Sequence, residues 1–319
     1  MNYKEVFEIL SHPKNKRIAV LTHINPDGDC LGSAAALYHS LRKIGKTVEV
    51  FSELDYSENF DFFTKGIFNV TEFSNYDLLV AVDTSEISRL GDYATYFSEH
   101  KNTLLIDHHK STKPYSDKYL VEETASSCCE IIYKILKNNI EFDTNIAMSI
   151  YCGLLTDTGC FAHNNTTPLV HEIAADLLSY GLDIDLIHYY LMKRRTIKEL
   201  NLLMLALKSM SIEVDGQVCF LTITQKNFEE TDTTEKDVMG VVNYGVGIDN
   251  IKYSVLISEI KPNVCKMSVR SKLDADSSEL CAIFGGGGHK YAAGCKMTGK
   301  PDGVKQKILK ACKDILCRE

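Results

Sequence analysis

Nowhere in the 319 residues is there a run of the roughly 20 apolar residues that a helical membrane span requires. Residues 1–16 alternate charge and apolar side chains and lack the apolar core of a secretory signal, so a cytoplasmic protein with no membrane partner is expected. Basic residues are in deficit. The 35 Lys and Arg are outnumbered by 43 Asp and Glu, leaving a net charge of −8. A long nucleic-acid duplex needs a basic face and is excluded as a general partner, whereas a short anionic substrate held by a few local cations is not. The eleven cysteines contain no C-x-x-C pair, and Cys152, Cys219 and Cys281 sit in apolar settings. Such thiols behave as small hydrophobes, and reduced cysteines are the expectation. There is no internal repeat and no low-complexity tract.

What is present is an ordinary globular composition, 45% apolar and 24% charged, in a chain long enough for two domains. The first half alternates strand and helix signals. Residues 17–22, 47–52, 76–82 and 103–106 read as apolar strands, and 31–45, 124–136 and 145–155 as helices. This alternation predicts an α/β fold, with a mostly parallel N-terminal sheet flanked by helices. Helices are also predicted over 167–180 and 196–210. From residue 211 the texture changes. Strand pairs over 212–214 and 218–223, and over 252–260 and 264–269, flank turn signals at Asp215-Gly216 and Pro262-Asn263. With helices over 236–242, 278–284 and 304–316, this half reads as a smaller α+β domain. The expected division is 1–187, a connecting helical region 188–210, and 211–319.

Four acidic clusters stand at the ends of apolar stretches. They are His23-Ile24-Asn25-Pro26-Asp27-Gly28-Asp29, then Asp83, then Asp107-His108-His109, then Asp157. Ligands of parallel α/β sheets bind beyond the carboxyl ends of the strands, so sites distant in sequence can converge there. One His with two Asp is a hard N/O donor set that suits Mn²⁺, Mg²⁺ or Fe²⁺ better than structural zinc. Each cluster alone also has a plain reading: Asp27 and Asp83 as caps or turn residues, and Asp107 to His109 as a solvated turn. Asp157 after an apolar helix is electrostatically misplaced at a helix C-terminus, a mismatch that a nearby cation would repair. In the second half, Gly285-Gly286-Gly287-Gly288-His289 implies close approach or positive φ, and its backbone N–H groups could cradle a phosphate. Arg270, at the end of a strand, could pair a phosphate bidentately.

These residues resemble the DHH phosphoesterase superfamily, specifically its stand-alone nanoRNase and pAp-phosphatase (NrnA-type) group. The motifs that carry the resemblance are THINPDGDCLGS over 22–33, VDTSE over 82–86, DHH, GLLTDTG over 153–159, and VRSK with FGGGGH in the second half. The resemblance implies that the second half is a DHH-associated substrate-binding domain and that the active site lies in the cleft between domains. It implies one divalent cation on His23, Asp27 and Asp83, and a second on Asp29, Asp83, His108 and Asp157. Manganese is the expected ion, with magnesium or cobalt as alternatives. Asp107 would act behind the ligands, and His109 beside the reacting phosphate. Arg270, Ser271, Gly286, Gly287, Gly288 and His289 would hold the rest of the substrate. Two positions depart from the family's usual pattern, Thr112 in place of an Asn and Ala162 in place of a larger polar or basic residue.

The activity implied is two-metal phosphoester hydrolysis of very short single-stranded RNA or DNA to mononucleotides, with 3′-phosphoadenosine 5′-phosphate as a second substrate. A phosphodiesterase of signalling dinucleotides such as pApA or cyclic di-AMP is the alternative enzyme, and a non-catalytic nucleotide sensor the alternative class. Oligomeric state is left open, with a homodimer among the options.

Overall fold

The computed structural model describes residues 1–52, 56–68, 73, 75–238, 240–272 and 274–317, with the backbone alone at His289. The chain divides into two compact units, Met1–Arg194 and Arg195–Glu319.

The first unit runs α1 (Tyr3–Ser11), β1 (Arg17–Leu21), α2 (Gly28–Lys43), β2 (Thr47–Phe51), α3 (Asp61–Thr64), β3 (Leu78–Val82), α4 (Ala94–Glu99), β4 (Thr103–Asp107), β5 (Lys118–Val121), α5 (Cys128–Leu136), α6 (Thr144–Asp157), α7 (Pro168–Leu178) and α8 (Ile184–His188). Its five strands are all parallel, in the order β2-β1-β3-β4-β5. Alternate residues of β1 face opposite layers. Ile18 and Val20 pack with α2, α5 and α6, while Ala19 and Leu21 pack with Phe51, Leu90 and Phe97. Strands buried on both faces read as unbroken apolar runs, which is why β1, β3 and β4 were legible as strands. The order reverses between β1 and β3. The loops leaving their carboxyl ends therefore diverge, which is where ligands of such sheets bind.

The second unit runs α9 (Ile197–Lys208), β6 (Ser211–Glu213), β7 (Val218–Ile223), α10 (Gln225–Thr231), α11 (Asn243–Val246), β8 (Tyr253–Lys261), β9 (Val264–Ser271), α12 (Ser277–Ala282), β10 (Gly287–His289), β11 (Ala292–Thr298) and α13 (Pro301–Leu316). Six strands pair in the order β10-β11-β9-β8-β7-β6, parallel only at β7–β8. Val304, Ile308, Ala311, Cys312 and Ile315 give α13 one apolar stripe, which covers one face of the sheet. Leu202 and Ala206 of α9 join Cys219, Leu221 and Leu256 on the other.

Several local expectations change. Helix α2 starts at Gly28 rather than residue 31, because Asp27 caps it and accepts from the backbone of Asp29 and Cys30. The helix expected over 236–242 does not form among the described residues. Glu235–Val238 is a 3-10 turn and Asn243–Val246 a separate short helix, with residue 239 outside the described set. Within the glycine run, Gly287–His289 forms a strand paired antiparallel with β11. A side chain at Gly286 would collide with Gly294 and Cys295, and one at Gly288 with Ala292 and Ala293. The hairpin itself needs those two glycines.

Candidate metal centre

His23 leaves β1 and is buried, with Nδ1 2.8 Å from the Ile24 carbonyl. The chain then turns through Asn25 at φ +52 into the cap of α2. Asp27 is exposed and uses Oδ1 for that cap, at 3.2 Å from Asp29 N and 3.1 Å from Cys30 N. Its plain reading as a cap is therefore realised, while its charge still acts on His23 and Asp29. Asp29, in the first turn of α2, is buried. Its Oδ2 accepts from Cys128 N at 2.6 Å and its Oδ1 from Cys129 N at 2.9 Å. These N–H groups open α5, where a helix leaves donors unsatisfied and carries partial positive charge.

Asp83 follows β3 in the left-handed region at φ +54, and its N–H donates to Ile106 of β4 at 2.9 Å. Asp tolerates this conformation better than most residues. Asp107 ends β4 and is fully buried. Its Oδ1 accepts from His109 Nδ1 at 2.8 Å, and its Oδ2 from the Thr112 hydroxyl. The departure at Thr112 thus has a structural part, as an anchor for Asp107. Asp157 is the last residue of α6.

These elements bring the acidic and imidazole groups together. His23 Nε2 lies 3.9 Å from Asp83 Oδ2. His108 Nε2 lies 3.4 Å from Asp83 Oδ1 and 3.8 Å from both Asp29 Oδ2 and Asp157 Oδ2. His109 Nδ1 is 3.6 Å from Asp83 Oδ1. Close sets of potential metal-ligating atoms are His23 with Cys30 and Asp83, Asp83 with His108 and His109, and Asp29 with His108 and Asp157.

The electrostatics are those of an under-neutralised cluster. Burial, then the charge of Asp29, pushes the Asp83 carboxyl well above the usual carboxylate range. Burial raises Asp29 as well. Burial and the charge of Asp29 push Asp157 up to about 7. Burial would lower His108, but contact with Asp83 and the charges of Asp29, Asp83 and Asp157 outweigh it and carry it up to about 10. Burial lowers His23, which favours the neutral imidazole that ligates metals. Asp83 Oδ1 is buried and accepts no hydrogen bond, the 3.4 Å approach of His108 being an ion pair. A buried carboxylate oxygen left unbonded among other carboxylates calls for a cation. The donor set of carboxylates and imidazoles fits hard divalent ions such as manganese or magnesium.

The second-unit candidates share one region of the other sheet. Arg270 on β9 is in register with Ala292 on β11, which is in register with His289 on β10. Arg270 is half-buried, its Nη1 donates to the carbonyl of the preceding Val269 at 3.0 Å, and burial lowers its pKa. Ser271 is buried and already engaged, donating to the Lys290 carbonyl at 2.9 Å and accepting from Ser277 at 2.9 Å. The His289 side chain lies outside the described residues.

The chain is similar to known proteins over most of its length. A family model described as the DHH family, N-terminal domain, matches residues 17–154, and a DHHA1 domain matches residues 215–317. The chain carries a DHH domain followed by a DHHA1 domain. It is 28% identical over 315 residues to the bifunctional oligoribonuclease and PAP phosphatase NrnA of Thermus thermophilus, covering 94% of this chain and 90% of that protein. An exopolyphosphatase-related protein from Bacteroides fragilis superposes with a TM-score of 0.89 at 23% identity, over 99% of this chain and 98% of that one. RecJ of Thermus thermophilus, solved in complex with Mn²⁺, superposes with a TM-score of 0.61 at 14% identity, over 99% of this chain and 55% of that one.

Three features of this site escaped the sequence. Arg89 reaches His23, with Nη2 3.1 Å from Nδ1, and its carbonyl accepts from Ile24 N at 2.7 Å. Asn165 donates to the Asp157 carbonyl at 3.2 Å. The grip on Asp29 comes from main-chain amides, which no side-chain pattern records. Gly153 did lie within a quoted motif, but its reason is visible only in space. A side chain there would overlap the Cys129 sulfur and stand 3.0 Å from Asp29 Oδ1.

Proposed function

We propose that this protein is a manganese-dependent phosphoesterase that hydrolyses very short oligonucleotides to mononucleotides and 3′-phosphoadenosine 5′-phosphate to AMP. The observation that carries the reading is the convergence of Asp29, His108 and Asp157 around Asp83, whose two carboxylate oxygens face different histidines. In this reading His23, Asp27 and Asp83 hold one divalent cation, and Asp29, Asp83, His108 and Asp157 hold the other. When bound, such a pair supplies Lewis-acid activation of water and of the phosphoryl group. The similarity to NrnA proteins over most of the chain supports the substrate class.

The chain's own residues do the positioning. Asp107 holds His109 through Nδ1, which leaves Nε2 as the nitrogen that serves a substrate oxygen or the leaving group. The backbone of α5 fixes Asp29, so that carboxylate needs no reorganisation when a cation binds. Arg270 and the Gly286–His289 segment bind a phosphate or terminal nucleotide, and Ser271 holds the turn of that hairpin through the Lys290 carbonyl.

A panel with Mn²⁺, Mg²⁺ and Co²⁺ against an RNA 3-mer, pApA, cyclic di-AMP and 3′-phosphoadenosine 5′-phosphate tests the assignment. Release of mononucleotides from the 3-mer and of AMP from 3′-phosphoadenosine 5′-phosphate, fastest with Mn²⁺, is expected. Turnover of cyclic di-AMP alone would move the assignment to a signalling phosphodiesterase, and binding without turnover to a sensor.

A further inference from the structure

We propose that Asn165 is a positioning residue that fixes the Asp157 carboxylate relative to Asp29, and so sets the shape of the Asp29–His108–Asp157 group. The inference rests on the two-cation reading and deepens it.

Asn165 lies on the segment between α6 and α7. Its Nδ2 donates to the Ser126 carbonyl at 2.9 Å and the Asp157 carbonyl at 3.2 Å, and stands 3.5 Å from Asp157 Oδ2. One amide group thus serves three oxygens. Reversing it would turn Oδ1 toward all three, so the chemistry of the partners dictates its orientation. The Oδ1 atom is left buried and without a partner. Packing alone gives no reason for a buried amide that uses only its donor end. A requirement for a donor beside Asp157 does.

The Ser126 carbonyl is what makes this contact matter for the site. Two residues later the chain enters α5, whose first N–H groups, at Cys128 and Cys129, grip both oxygens of Asp29. The segment 126–129 therefore takes Asn165 at a carbonyl and Asp29 at its amides. Asn165 joins the two carboxylates of one group through a single short piece of backbone.

The path from Asp157 back to Asn165 is also conspicuous. Gly159, Cys160 and Phe161 have φ of +57, +60 and +64. Two consecutive non-glycine residues in the left-handed region are costly, and such turns persist where the surrounding structure demands them. This one reverses the chain so that residue 165 reaches residue 157. Without that donor, a carboxylate at a helix C-terminus is repelled by the helix end, and the Asp157 side chain is 29% exposed, with solvent to turn toward.

The test titrates metal-free protein with Mn²⁺ alone, comparing wild type, Asn165→Ala, the isosteric Asn165→Asp, and Asn164→Ala at the exposed neighbour. Wild type and Asn164→Ala should take up two ions and show a spin-coupled pair by electron paramagnetic resonance. Both Asn165 variants should lose about 10–100-fold in affinity for one ion, as when a residue that orients a ligand is removed. At two equivalents their spectra should be those of isolated ions. With manganese in large excess, KM for a dinucleotide should match wild type. If Asn165→Ala fails to fold, Asn165→Asp decides. Wild-type affinity for both ions and an intact coupled signal in the Asn165 variants would overturn the proposal. Absence of a coupled pair in the wild type would overturn the two-cation reading itself, and this inference with it.

Discussion

Asp83 stands between two imidazoles, with Oδ2 3.9 Å from His23 Nε2 and Oδ1 3.4 Å from His108 Nε2. It is buried beside other carboxylates, so its charge is a liability until a cation arrives. Asp83→Asn keeps the shape and tolerates the left-handed backbone. In metal-free protein it should stabilise the fold by about 1–2 kcal/mol, roughly 2–8 °C in melting temperature. With manganese at 100 times its Kd the wild type gains about 2.7 kcal/mol that the variant forgoes, and the order reverses. Mononucleotide release from a dinucleotide should fall by about 10³-fold or more. Thermal melts with and without a chelator, beside a single-turnover assay, check all three. Unchanged turnover would refute the bridging role.

Gly153 lets α6 approach α2 and α5 closely enough for Asp29 to meet the α5 amides. Gly153→Ala should destabilise by about 1–3 kcal/mol in urea, as overpacked cores do. Its manganese affinity should fall as well, because Asp29 must move. Full stability together with full affinity would mean that the helices shift without disturbing the site.

Asp143 caps the far end of α6, accepting from Asn145 and Ile146, and pairs with Lys43 at 3.2 Å. Burial opposes its ionisation, but the Ile146 amide and Lys43 outweigh it and hold the carboxyl below its ordinary value of 3.8. A lowered folded-state pKa gives stability that is present above the unfolded value and lost as pH falls through the folded one. Asp143→Ala should therefore cost about 1 kcal/mol at pH 7. Below about pH 3.8 the gap to wild type should narrow. Urea midpoints at pH 7 and pH 3 test this, and a gap that widens in acid would contradict it.

Arg270 donates to no carboxylate among the described residues, although it is half-buried. Arg270→Lys keeps the charge but loses the planar fork. It should raise KM for a dinucleotide by about 10–100-fold, the worth of a charge-assisted bond, with little change in melting temperature. An unchanged KM would remove Arg270 from substrate binding.

Much of the first unit was legible because β1, β3 and β4 are buried on both faces and their strand-end residues are chemically unusual. The convergence of His23, Asp83 and His108 follows from a parallel sheet whose order reverses between β1 and β3. Strand β5 escaped because Lys118–Val121 is a short edge with no continuous apolar run. Helix α10 was missed for a related reason, since Gln225–Thr231 buries only Phe228 and Thr231. In the site, the side chains that face the cluster and Asp107 behind it stood in recognisable motifs, whereas Arg89 and Asn165 did not. Asn165 carries no pattern that separates it from Asn164. Only the fold distinguishes the two.

The amides that clasp Asp29 belong to peptide groups, and every residue except proline provides one. Codons 128 and 129 can therefore drift among amino acids small enough for that tight corner while the clasp survives. Proline is barred at 129, where its missing hydrogen would release one oxygen of the aspartate, and at 128, where it would release the other.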